Sequence, residues 1–127
     1  MKHTLDLSHG LVFVPCRIFG PQGQTVVDLA LDTGATTTLI SWPTALAVGY
    51  DPAVAQARVE VTTGSGREYC PRISVARFDA LGKSVAGLDI LCHDLPAKAQ
   101  ARGLLGLNFL NRFDLRINFK QGFITLR

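Results

Sequence analysis

An all-β domain with one or two short helices is what this sequence predicts, and three features predict it. Apolar and polar residues alternate with period two along most of the chain, glycine and proline punctuate those runs at short intervals, and helical patterning appears in only two brief stretches. A length of 127 residues suits one domain and is too short for two well-cored ones, so residues 1–127 are expected to form a single domain. Apolar residues make up 47% of the chain and charged residues 18%, which allows burial to offset chain entropy and excludes disorder as the main state.

Taken in order, Leu11–Ile18 reads as a strand, and Gly20-Pro21-Gln22-Gly23 is a turn by its glycines and its proline. The return strand, Thr25–Leu31, ends in the apolar run Leu29-Ala30-Leu31, as a strand does when it enters a core covered on both faces. A short helix is expected over Pro43–Val48, with Ser41 as its cap and Gly49 as its stop. Arg58–Thr63 and Arg67–Ile73 form a second hairpin through Gly64-Ser65-Gly66. Val59 and Val61 share one face of it and Arg58, Glu60 and Thr62 the other, so one side is polar and the glycine-flanked tip is expected to project and move. A third hairpin turns near Gly82-Lys83, Leu107–Arg112 reads as a second short helix, and Lys120-Gln121-Gly122 joins the closing strands Asp114–Phe119 and Phe123–Leu126. Trp42, Phe109 and Phe113 are assigned to the core.

Composition narrows the function. Thirteen basic against ten acidic residues give +3 without a run of like charge, which argues against a nucleic-acid partner. No apolar stretch approaches the roughly 18 residues that cross a bilayer, and Met1–Asp6 lacks the apolar run of a signal peptide, so a cytoplasmic protein without membrane insertion is expected. Cys16, Cys70 and Cys92 form no CxxC pair and are expected to be reduced and mostly buried. His3, His9 and His93 match no metal-ligand spacing, so neither a metal nor another cofactor is expected. Ser65 lies between glycines but in neither a nucleophile elbow nor a phosphate loop.

The chemistry-bearing signal is Leu31-Asp32-Thr33-Gly34-Ala35, an acid at the mouth of a buried strand followed by a tight turn. With it goes Leu104-Leu105-Gly106, two apolar residues and a glycine. Strand plus Asp-Thr-Gly-Ala, a glycine-tipped hairpin some thirty residues on, apolar-apolar-Gly, and a short helix leading into a hairpin follow in that order over most of the chain. In these features the sequence resembles the retropepsin-like aspartic proteases, the half-sized homodimeric relatives of the pepsins. It is most similar to bacterial members through Asp32-Thr33-Gly34-Ala35-Thr36-Thr37-Thr38-Leu39-Ile40-Ser41 and Gly103-Leu104-Leu105-Gly106-Leu107-Asn108-Phe109-Leu110. The resemblance implies an acid-protease half-barrel with a flap hairpin.

It also implies an aspartic endopeptidase. Two carboxylates about 3 Å apart cannot both ionise easily, so the pair shares a proton, and one acts as base on a bound water while the other acts as acid toward the scissile carbonyl. Only one Asp-Thr-Gly is present, so Asp32 would have to meet Asp32 of a second copy across a two-fold axis. On the same resemblance, Thr33 and Gly34 brace the acid, Thr62, Thr63, Gly64, Ser65 and Gly66 form the flap over a peptide substrate, and Ala35 and Leu104 line apolar pockets. Ala35 stands where pepsins carry a serine whose hydroxyl donates to the catalytic carboxylate, so an activity optimum nearer neutrality than a pepsin's is expected. Two positions depart from the retroviral pattern: the acid after Asp-Thr-Gly-Ala is Thr36, and its arginine partner is Leu107. Losing both halves of an ion pair strands no charge, and packing with threonine hydroxyls is expected to brace the turn instead. The alternative to an enzyme is a module that keeps the fold and binds an extended peptide or dimerises without cleavage.

Overall fold

The computed structural model describes residues 1–6, 10–63 and 66–127, the side chain of Thr63 excepted. In chain order these form β1 (Lys2–Thr4), β2 (Phe13–Gly20), β3 (Gly23–Leu31), β4 (Leu39–Ile40), α1 (Trp42–Ala47), β5 (Ala57–Thr63), β6 (Gly66–Ala80), β7 (Lys83–Cys92), β8 (Leu104–Leu105), α2 (Leu107–Leu110), β9 (Leu115–Asn118) and β10 (Phe123–Leu126), with a 3₁₀ turn at Pro52–Val54 before β5. The fold is all-β, as expected.

Alternation sets the faces. Val14, Cys16 and Ile18 of β2 are buried while Pro15 and Arg17 are exposed. β2 pairs antiparallel with β3 along its whole length and, from Cys16 onward, with β6 on its other edge. Pro15, which has no N–H to give, lies one residue before that second pairing begins. The larger sheet runs β2-β3-β8-β4-β7-β6-β5, and the β2–β6 pairing closes six strands into a ring, with β5 hanging from β6 alone. Ile18, Val75, Phe78, Leu88, Ile90, Leu105 and Phe109 are fully buried within the main core cluster, and Phe78 meets Phe109 edge-on at 5.2 Å. A smaller sheet, β1-β10-β9, forms from the two ends of the chain.

Element limits differ from expectation where tertiary pairing decides them. β2 starts at Phe13 rather than Leu11, where its ladder with β3 begins opposite Ala30, and Val12 O accepts from Leu31 N at 2.8 Å just before it. β6 runs for 15 residues, twice the expected length, since it serves β5, then β7, then β2. The third turn falls on Leu81 and Gly82, both at positive φ (52° and 76°), one residue before the expected place. That register sets Phe78 opposite Val85, both buried, and a one-residue slip would turn both outward. α1 begins at Trp42 with Ser41 as cap, its Oγ accepting from Thr44 N at 3.3 Å, and Gly49 follows at φ +96°. α2 ends at Leu110, not Arg112, whose Nε donates back to Asn108 O at 3.0 Å. Phe109 is in the core; Trp42 and Phe113 pack against it, half-buried.

Candidate active site

Two-residue β8 locates the site. It runs parallel to the end of β3, pairing Ala30 with Leu104 and Leu31 with Leu105. Asp32 N then donates to Leu105 O at 3.0 Å, so the acid emerges from a strand end already pinned on its neighbour. Ala35 N donates to Asp32 O at 3.2 Å to close the turn, and Gly34 N donates to Asp32 Oδ1 at 2.8 Å. A side chain at residue 34 would place its Cβ 3.1 Å from that oxygen, so the carboxylate would have to shift by a few tenths of an ångström. Among the described residues Oδ2 of Asp32 accepts no hydrogen bond. Asp32 and Ala35 are half-buried, whereas Thr33 and Gly34 are exposed.

α2 holds the far side of the same turn. Leu107 N donates to Ala35 O at 2.8 Å and Asn108 N to Thr36 O at 3.1 Å, so the segments that lack the retroviral ion pair are joined through backbone, each position bonded to the other's neighbour. The expected threonine brace comes from Thr38, which is wholly buried. Its Oγ accepts from Gly106 N at 3.1 Å and donates to Asn108 Oδ1 at 2.9 Å, and the same Oδ1 accepts from Thr38 N at 2.9 Å. Asn108 Nδ2 donates to Asp89 O at 2.6 Å. Sequence reasoning missed Asn108; its signal was a lone amide in the apolar run Leu104–Leu110.

A cleft of about 540 Å³ opens between this turn and β5. Asp32, Gly34 and Ala35 line it from the turn, Leu104, Leu39 and Leu91 from the sheet, and Val59, Glu60, Val61 and Thr62 from β5. Leu39, Cys70 and Leu91 form a separate apolar cluster on which Val59 and Val61 pack. Glu60, the other acid there, is engaged by Arg67 Nε at 3.2 Å and Tyr69 Oη at 3.3 Å. Thr63 and Gly66 pair at the end of the β5–β6 ladder. Gly64 and Ser65 of the expected flap tip lie outside the described residues, as does His9.

The remaining polar groups have local tasks. Asp51 caps the 3₁₀ turn by accepting from Ala53 N at 2.9 Å, and Asp94 accepts from Trp42 N at 2.8 Å. His93 Nε2 lies 3.6 Å from the Glu68 carboxylate. Among the described residues no three metal-ligating side chains come together, and no helix is long and apolar enough to cross a membrane. The three cysteines are free and buried. Burial pushes the Cys92 thiol up to about 12 and raises those of Cys16 and Cys70, which keeps them protonated and poor nucleophiles. A separate cavity of about 500 Å³, between Val27, Leu29, Pro43 and Leu95, includes no residue of the Asp32 turn.

Comparison with known proteins agrees with this geometry. The crystal structure of a retropepsin-like aspartic protease from Rickettsia conorii superposes with a TM-score of 0.75 at 18% identity, over 99% of this chain and 89% of that one, a likeness of fold. No curated protein sequence matches. Residues 20–112 match the family model described as gag-polyprotein putative aspartyl protease. With that match spanning the Asp-Thr-Gly turn, the cleft and α2, the chain belongs to this family of retropepsin-like aspartic proteases.

Proposed function

We propose that the protein is an aspartic endopeptidase that works as a homodimer, each copy supplying one Asp32. The observation that carries the reading is the state of that carboxylate: it faces an open cleft, one oxygen accepts from Gly34 N, and the other has no partner among the described residues. Such a group is poised to share a proton with its copy across a two-fold axis. The pair then activates a water and protonates the leaving nitrogen, with neither covalent intermediate nor metal. Thr33, exposed at the turn's outer edge, is placed to meet the second copy. Residues 62–66 serve as the flap, and the extended substrate is read by strand-like hydrogen bonds along β5. Ala35, Leu39, Val61, Leu91 and Leu104 give the cleft apolar walls, so cleavage beside apolar side chains is expected.

The test is a mixed peptide library incubated with the parent and with Asp32→Asn, both sized at the same concentration. Cleavage by the parent that disappears in the variant, at unchanged dimer content, supports the enzyme. Equal silence from two confirmed dimers supports the non-catalytic peptide-binding module instead.

A further inference from the structure

We propose that Asn108 is the positioning residue for Asp32, an inference that rests on the endopeptidase reading above. Its amide ties three parts of the site together: the strand leaving the Asp32 turn at Thr38, the first turn of α2 that carries it, and β7 at Asp89. The orientation of the amide is determined by its partners. Reversing it would set N–H against the Thr38 N–H and oxygen against the Asp89 carbonyl, so Oδ1 must face Thr38 and Nδ2 must face β7.

This arrangement controls the carboxylate through a short mechanical path. Gly106 N is held by Thr38 Oγ, Thr38 Oγ by Asn108, and Leu107 N and Asn108 N grip the carbonyls of Ala35 and Thr36. Ala35 in turn closes the turn on the Asp32 carbonyl. Any rotation of α2 therefore moves the backbone that aims Asp32 and the Gly34 N–H bound to its Oδ1. Phe109 and Leu110 anchor α2 in the core, and the half-buried Asn108 amide ties its first turn to Thr38 and β7. Only a group that accepts two hydrogen bonds on one side and donates on the other satisfies the position, which excludes alanine and an ionised carboxylate alike.

The experiment compares Asn108→Ala and Asn108→Asp with the parent by peptide turnover, sizing, thermal melting and the Gly34 amide resonance, which reports the hydrogen bond to Asp32 without requiring catalysis. In Asn108→Ala, kcat is expected to fall about 100-fold with KM little changed and the dimer retained, because misplacement acts on the transition state. The Gly34 resonance should shift as well. In Asn108→Asp the ionised form sets carboxylate against the Asp89 carbonyl, whereas the protonated form donates to it, so activity relative to the parent should recover as the pH is lowered. Should Asn108→Ala not fold, Thr38→Val, which deletes only the hydroxyl, carries the same readouts, and Thr38→Ser should restore them. A kcat loss no larger than the unfolded fraction, with an unmoved Gly34 resonance, would overturn the proposal, as would an Asn108→Asp profile parallel to the parent's at every pH. If the parent cleaves no peptide, the endopeptidase reading fails by itself, and the Gly34 resonance still decides for or against Asn108: moved supports it, unmoved refutes it.

Discussion

Gly106 sits in ordinary extended backbone, φ −102° and ψ −177°, so conformational freedom does not explain it. Space does. A Cβ there would lie 2.8 Å from the Thr37 carbonyl carbon and 2.9 Å from both Ala35 O and Thr38 N, all backbone atoms that cannot swing aside. Gly106→Ala is therefore expected to cost about 3 kcal/mol or more, read as a lowered urea midpoint, because α2 can accept a methyl only by retreating from the Asp32 turn. A midpoint within error of the parent's would show that the two segments are less tightly apposed than these distances require. The apolar-apolar-Gly signal was legible in the chain, and its physical reason is this close approach. The role of Asn108 was not legible, because a lone amide in an apolar run shows nothing of its task until its partners at Thr38 and Asp89 are known.

Hairpins β2–β3 and β6–β7 were read correctly from alternation and glycine punctuation, since those signals are local. The pairs that complete the site were not. β4 and β8 are two residues each, too short for any periodicity, and they exist because Leu39 and Leu104 meet each other and longer neighbours across the fold. Lys2–Thr4 is likewise a strand only because β10 is there to receive it. In the β6–β7 hairpin, the hydrogen bond from Arg77, joined by one from Ser84, holds the Asp79 carboxyl below the usual carboxylate range. A lowered folded-state value stabilises the fold above the unfolded value and loses that contribution as pH falls through the folded one. The melting-temperature gap between the parent and Asp79→Asn should thus be constant near neutrality and close as pH drops below about 3.9. A gap that persists unchanged into stronger acid would remove the Arg77 hydrogen bond as its cause. Salt should narrow the gap too, because both side chains are partly exposed.

For the molecule as a whole, a single Asp-Thr-Gly per chain means that the proposed chemistry requires association. Activity per chain should rise with concentration until dimers saturate. Mixing equal parts of parent and Asp32→Asn, with time to exchange, should leave about a quarter of the dimers with two aspartates, and activity should fall to about that fraction of an all-parent sample. Retention of half the activity would mean that each chain works alone. The ring of six strands and the apolar cluster under β5 wall the cleft that such a dimer would use.

From its residues alone the chain determined its all-β class, its hairpins, the Asp32 turn and the glycine that must approach it, because period-two burial, turn chemistry and a contiguous motif act over a few neighbouring residues. Tertiary structure alone decided the closure of β2 on β6, the two-residue strands beneath the acid, and the brace between buried Thr38 and half-buried Asn108. Each of these depends on groups far apart in sequence satisfying one another's hydrogen bonds, and no local pattern records which distant partner will be there.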